Sequence, residues 1–119
     1  MTEQATTTAA TNDLGLYRDQ LLEMAYYMRF ARALEEKLMA LFRQGKVIGG
    51  LYRSLGQEGE SVGTSYALDF SKGDILSPLI RNMGSMLVAG AMPVEIGMQY
   101  MAKANAGTRR RDRNIRITN

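Results

Sequence analysis

Three polar side chains, Gln57, Glu58 and Arg81, are the strongest candidates for chemistry in this sequence. Glu58 follows Gly56 at the start of a predicted helix, where the helix dipole favours a carboxylate and the carboxylate accepts capping hydrogen bonds. Arg81 follows a predicted extended segment and precedes another predicted helix, so its guanidinium is suited to an anionic phosphate group. An isolated arginine is more often a solvated surface residue. We therefore predict a structural role for Glu58 and weigh phosphate binding against simple exposure for Arg81.

The composition excludes several kinds of site. The chain has 119 residues with no cysteine and no histidine, which removes disulfides, thiolate metal sites and the commonest acid/base residue at neutral pH. Proton transfer would require carboxylates with shifted pKa values. A chain of this size is at most one small domain, and it buries only about two thirds of its surface when it folds alone. We therefore expect a partner.

The positive charge is concentrated at the C-terminal end. The net charge is +3, yet residues 108–119 hold five arginines and one aspartate, so residues 1–107 carry a net −1. No aromatic side chain is interleaved among these arginines for base stacking, which disfavours nucleic acid as a partner. We predict that residues 108–119 form a basic, disordered tail.

Nothing in the sequence predicts targeting or a membrane span. Residues 1–12 are rich in Thr and Ala, and no Lys or Arg precedes Arg18, unlike a secretory or transit peptide. We predict a disordered leader there. The longest uncharged stretch, residues 82–94, has 13 residues, fewer than the roughly 20 that a membrane helix needs. These features lead us to expect a soluble, cytoplasmic protein without a membrane partner.

A long amphipathic helix must position the candidate residues. Apolar side chains recur at steps of three and four residues from Leu14 to Leu41, which predicts one helix over about residues 13–44. Asn12 or Asp13 is the predicted N-cap, and Gly45 supplies the left-handed residue that commonly closes a helix.

Three shorter helices are predicted downstream. The first runs from Gly56 or Gln57 to Leu68, and its glycines Gly59 and Gly63 share one face, which predicts close approach of another backbone. The turn at residues 71–74 ends it, and residues 75–80 form an extended segment. A third helix spans residues 82–89 with its apolar side chains inward, and Pro93 opens a fourth that covers residues 94–102. The inward side chains predicted for the third helix are Met83, Met86 and Leu87.

Two segments of the sequence resemble a known family. They are the glycine-rich run Gly49-Gly50-Leu51-Tyr52-Arg53-Ser54-Leu55-Gly56-Gln57-Glu58-Gly59-Glu60-Ser61-Val62-Gly63 and the segment Ile80-Arg81-Asn82-Met83-Gly84. The resemblance, from about Leu14 to Gly107, is to the N-terminal region of the alpha subunit of 2-oxo acid dehydrogenase E1 components, which are thiamine diphosphate enzymes. It implies that residues 13–107 are a mainly α, incomplete domain, the helical N-terminal part of an α/β thiamine diphosphate-binding fold. Periodicity alone fits several all-helical bundles equally well.

The resemblance also implies roles for the candidate residues. Arg81 matches the arginine of a Tyr-Arg pair that touches the cofactor diphosphate, but Ile80 replaces the tyrosine. Gln57 and Glu58 match a Gly-Gln-Glu motif that lies near the cofactor and orders the neighbouring loop. Tyr52 and Met83 stand where pyruvate-type members often have histidines. Branched-chain members often lack both histidines, so the pattern favours a branched-chain-like or otherwise unassigned subgroup.

Members of the family oxidatively decarboxylate a 2-oxo acid with thiamine diphosphate and Mg²⁺. They act with an E1 beta subunit and a second alpha subunit, and they pass the acyl group to the lipoyl domain of E2. The family holds Mg²⁺ with a Gly-Asp-Gly motif, which this sequence lacks. We therefore expect a truncated or frame-altered E1 alpha-like segment that is inactive alone. The alternative is a non-enzymatic helical module whose basic tail binds RNA or an acidic partner, which explains the tail but not residues 49–63.

Overall fold

The dominant element is a single long helix, α1 (Arg18–Arg43), of 26 residues. The computed structural model describes residues 11–105. At about 1.5 Å per residue the helix is about 39 Å long. It ends as the sequence predicts, because Gly45 has a φ of +73°. The Gly45 N–H donates to the carbonyl of Phe42 at 2.9 Å and the Lys46 N–H to that of Leu41 at 3.0 Å, the Schellman pattern.

The predicted start of this helix is wrong by about one turn. It begins at Arg18, and neither Asn12 nor Asp13 is its N-cap. The Asn12 side chain instead accepts the N–H of Leu16 at 3.0 Å, within a turn where Gly15 has a φ of +74°. A side chain that bonds nearby backbone competes with helix formation, so these residues form a turn ahead of the helix.

The remaining described elements are also helical. They are α2 (Glu58–Tyr66), a short 3₁₀ turn (Phe70–Lys72), α3 (Met83–Val88) and α4 (Pro93–Tyr100). Within residues 11–105 there is no strand, and residues 75–80 are irregular. The mainly helical prediction is therefore confirmed for this segment, and Pro93 occupies the first turn of α4 as expected. In this part of the chain no helix has the length and apolarity required to cross a membrane.

One hydrophobic core joins α1, α3 and α4. The inward side chains predicted for α3 are confirmed. The buried apolar residues that form this core are Ala31, Leu38, Val47, Met83, Met86, Leu87, Ala91, Ile96 and Tyr100. The N–H of Ile48 donates to the carbonyl of Tyr100 at 3.0 Å, which fixes the chain after α1 against the end of α4.

Helix α2 packs closely on α3, but not through the predicted glycines. Gly59 and Gly63 are exposed. A Cβ added at Gly63 would meet nothing within 4 Å, and one at Gly59 would meet only the flexible end of Met28 at 3.6 Å. The close approach occurs instead at Gly84 of α3, where an added Cβ would lie 2.7 Å from Cγ2 of Val62. The prediction about the Gly59/Gly63 face is wrong, because α2 presents its Ser61 and Val62 side to its neighbour.

A polar contact aligns α2 with the N-terminal half of α1. The Tyr66 hydroxyl donates to Oε2 of Glu23 at 2.6 Å. This hydrogen bond to a carboxylate raises the pKa of Tyr66 to about 12. The side of α1 that carries Glu23 is therefore directed towards α2.

Candidate functional site

Two carboxylates hold the segment that links α1 to α2, which we call the glycine loop (residues 47–57). The first is Glu58, which is buried at the start of α2. Its Oε2 accepts the N–H of Gly56 at 2.9 Å, and Nε of Arg32 on α1 donates to its Oε1 at 2.6 Å. The hydrogen bond from Arg32 holds the pKa of Glu58 below its usual value. Glu58 thus remains ionised near neutral pH and ties the loop to α1.

The second carboxylate, Glu35, was not among the predicted site residues. It is only 1% exposed and accepts the N–H of Ser54 at 3.0 Å on each of its oxygens. The Ser54 hydroxyl also donates to Glu35. The sequence did contain a signal, because Glu35 lies four residues after Ala31 and three before Leu38 on the apolar stripe of α1. A carboxylate in such a position requires buried donors.

Both buried carboxylates accept hydrogen bonds from neighbouring donors. The described residues also contain no group of three or more acidic side chains that could hold a metal ion. The geometry of the glycine loop is thus that of a rigid scaffold.

Two arginines, Arg53 and Arg81, have side-chain nitrogens without a partner in the described part of the chain. The Nε of Arg53, in the glycine loop, is buried and has no hydrogen-bond partner among the described residues. An unsatisfied buried donor costs about 1–3 kcal/mol, so this position is suited to an acceptor supplied from elsewhere. Arg81 is exposed in the turn before α3, and within residues 11–105 no carboxylate pairs with it. The exposed Arg81 guanidinium is therefore the one of the two that is open to an anion from solution.

The turn that carries Arg81 is fixed by its neighbour, Asn82. The Asn82 side chain accepts the N–H of Leu79 at 3.0 Å and donates to the Ser61 hydroxyl at 3.4 Å. Asn82 also borders a cavity of about 250 Å³ between α2, α3 and residues 76–78. Thr64, Ser77 and Ser85 are among the residues that line it, together with Leu68, Leu76 and Pro78. The turn is therefore ordered next to a recess that has both polar and apolar walls.

The three predicted site residues do not form one cluster in the described part of the chain. Gln57 is exposed at the N-cap position of α2 and makes no side-chain capping bond. Neither Gln57 nor Glu58 shares a hydrogen bond or an ion pair with Arg81 in residues 11–105. The predicted cofactor contact of Arg81 remains a prediction.

Comparison with known proteins gives one informative match. Over 99 residues, 81% of this chain, the sequence is 35% identical to the 2-oxoisovalerate dehydrogenase subunit alpha of Bacillus subtilis (strain 168). The chain spans 29% of the length of that relative. No protein-family model matches the chain. No solved structure matches it either.

Proposed function

We propose that this chain is an E1 alpha-like segment of a thiamine diphosphate-dependent 2-oxo acid dehydrogenase. The observation that carries the proposal is its 35% identity, over 99 residues, to a 2-oxoisovalerate dehydrogenase alpha subunit. The family reaction is oxidative decarboxylation of a 2-oxo acid followed by acyl transfer to a lipoyl domain. The proposed partners are accordingly an E1 beta subunit, a second alpha subunit and the E2 lipoyl domain.

The residues of this chain are suited to contact one part of the cofactor, its diphosphate. Arg81 is exposed without a carboxylate partner in the described part of the chain, which supports contact with a diphosphate. The metal does not fit, since the sequence has no Gly-Asp-Gly motif and the described residues offer no cluster of metal ligands. Our proposal therefore limits this segment to contacting the diphosphate and positioning the glycine loop, and it does not extend to holding Mg²⁺ or to catalysis by the chain alone.

The branched-chain preference is part of the same proposal. It rests on Tyr52 and Met83, which replace two histidines of pyruvate-type members, and on the 2-oxoisovalerate name of the relative. The competing RNA-binding or acidic-partner module depends on residues 108–119, which lie outside the described residues. The comparisons do not favour it.

A chimera tests the proposal. Residues 14–107 would replace the matching segment of the Bacillus subtilis subunit, and thiamine diphosphate binding and 2-oxo acid decarboxylation would be measured with its beta subunit. We expect a functional chimera in which Arg81→Ala weakens cofactor binding at least tenfold, whereas Arg43→Ala, at the exposed end of α1, leaves it unchanged. Ile80→Tyr, which restores the Tyr-Arg pair of the family, should tighten binding.

The unmodified chain provides the complementary measurement. By calorimetry we expect no saturable, Mg²⁺-dependent binding of thiamine diphosphate and no decarboxylation. A folded chimera that binds no cofactor would refute the E1 alpha-like assignment. Mg²⁺-dependent binding by the unmodified chain would refute only the statement that this segment cannot hold the metal.

A further inference from the structure

A stripe on the outer face of α1 has no partner in the described part of the chain. It consists of Asp19, Leu22, Tyr26 and Arg29, and we call it the outer stripe. Their spacings of three, four and three residues are those of the a and d positions of a helical heptad, so the four side chains lie along one seam. Leu22 is 56% exposed and Tyr26 is 60% exposed.

The outer stripe is turned away from the rest of the molecule. The buried residues of α1 are Ala31, Glu35 and Leu38, and none precedes Ala31 in the helix. The Tyr26 ring stacks on that of Phe30, with centroids 5.8 Å apart and an interplanar angle of 18°. This contact within one helix holds the aromatic surface in place without covering it. Leu22 and Tyr26 thus form an exposed apolar seam along the helix.

The charges at the two ends of the stripe are also unpaired. Asp19 and Arg29 are both exposed, and within residues 11–105 neither takes part in an ion pair. Charged groups that flank an apolar seam commonly set the choice and orientation of a helical partner. The order along the outer stripe is acidic, apolar, apolar, basic.

This order is self-complementary in one orientation only. Asp19 and Arg29 lie at equal distances in sequence from position 24, and so do Leu22 and Tyr26. A second copy of α1 in the antiparallel orientation, centred at position 24, therefore places each aspartate against an arginine and each leucine against a tyrosine. A parallel copy would instead bring together like charges at both ends, which is unfavourable. Isologous pairing of this kind is the commonest form of protein self-association.

We propose that the outer stripe is a homodimer interface, in which two copies of this chain pair their α1 helices antiparallel about position 24. The partner of the stripe is a second copy because, when a second α1 is laid in the reverse direction, each charged residue meets one of opposite charge and each apolar residue meets an apolar one. An unrelated partner would not require that symmetry. Under the proposed function this second copy would be the second alpha subunit, whereas the pairing itself is inferred from the residue pattern of the outer stripe.

A charge-exchange experiment on the full chain tests this pairing. Sedimentation equilibrium would give the dimer dissociation constant of the parent chain and of the Asp19→Arg and Arg29→Asp variants. Each variant converts both ion pairs of the dimer into like-charge pairs, so we expect each to weaken association about tenfold or more. An equimolar mixture of the two variants restores both ion pairs and should associate about as tightly as the parent.

Two further variants separate pairing from folding. Tyr26→Ser should weaken dimerisation at least tenfold while circular dichroism shows unchanged helix content, because Tyr26 is exposed in the monomer. Lys103→Asp carries the same charge change as Arg29→Asp at an exposed site after α4, and it should associate like the parent. A parent chain that stays monomeric up to millimolar concentration would overturn the proposal. It would also be overturned if the mixture associated no better than the separate variants.

Discussion

The close contact between α2 and α3 makes a sharp prediction for Gly84→Ala. An added Cβ would lie 2.7 Å from Cγ2 of Val62 and 3.4 Å from Cβ of Ser61. Val62 is 1% exposed and β-branched, so its methyl group cannot swing aside as a long flexible side chain would. Overpacking costs about 1–3 kcal/mol, and the rigidity of Val62 places this case in the upper half of that range, about 2–3 kcal/mol. The higher helix propensity of alanine offsets about 1 kcal/mol of that cost. We expect a net destabilisation of about 1–2 kcal/mol.

Gly63→Ala is the matched control. Gly63 lies inside α2, where an added Cβ would meet nothing within 4 Å, so only the propensity gain applies. We expect stabilisation of about 0.5–1 kcal/mol there. Urea denaturation followed by circular dichroism would measure both changes. The close contact is refuted if Gly84→Ala is as stable as the parent, or if the two alanine variants shift stability by the same amount.

A double-mutant cycle with Val62→Ala tests the cause of the effect. Removing the two methyl groups makes room for the new Cβ, so Val62→Ala should destabilise the Gly84→Ala background less than the parent. We expect a coupling energy of about 1 kcal/mol, within the range seen for residues in contact. Strict additivity would show that Val62 is not the obstacle.

Three further outcomes follow from particular contacts. Glu35→Ala should destabilise the chain by about 2–4 kcal/mol in urea denaturation, because buried donors lose a charged acceptor, whereas exposed Glu36→Ala should change stability by less than about 0.5 kcal/mol. Arg32 lowers the pKa of Glu58 in the folded state. The stability that this pair contributes is therefore fully present above the ordinary glutamate pKa, and it is lost as pH falls through the lowered pKa. Glu58→Gln should therefore flatten the acid side of the stability-versus-pH curve, and an unchanged slope would contradict this linkage. Ala102→Gly should raise the melting temperature, with a gain of about 0.5–1 kcal/mol, because Ala102 has a φ of +50° at the end of α4; a lower melting temperature would contradict it.

Local sequence patterns were sufficient to predict most of the helices. Steps of three and four residues located α1, and Gly45 marked its end because a positive φ suits glycine. Pro93 marked the start of α4, since the first turn of a helix tolerates a missing N–H. The structural role of Glu58 was also predictable, because it depends on a helix terminus and on backbone donors two residues away.

The sequence by itself thus determined where the helices lie, the inward side chains of α3, the end of α1 at Gly45 and the start of α4 at Pro93, because these depend on neighbours along the chain. Tertiary structure alone decided which glycine lies at a helix contact, selecting Gly84 over Gly63, because that depends on how α2 is rotated against α3. It also decided that Glu35 is buried against Ser54. Nineteen residues separate that pair, and a carboxylate on an apolar stripe does not identify its donors until the chain brings them together.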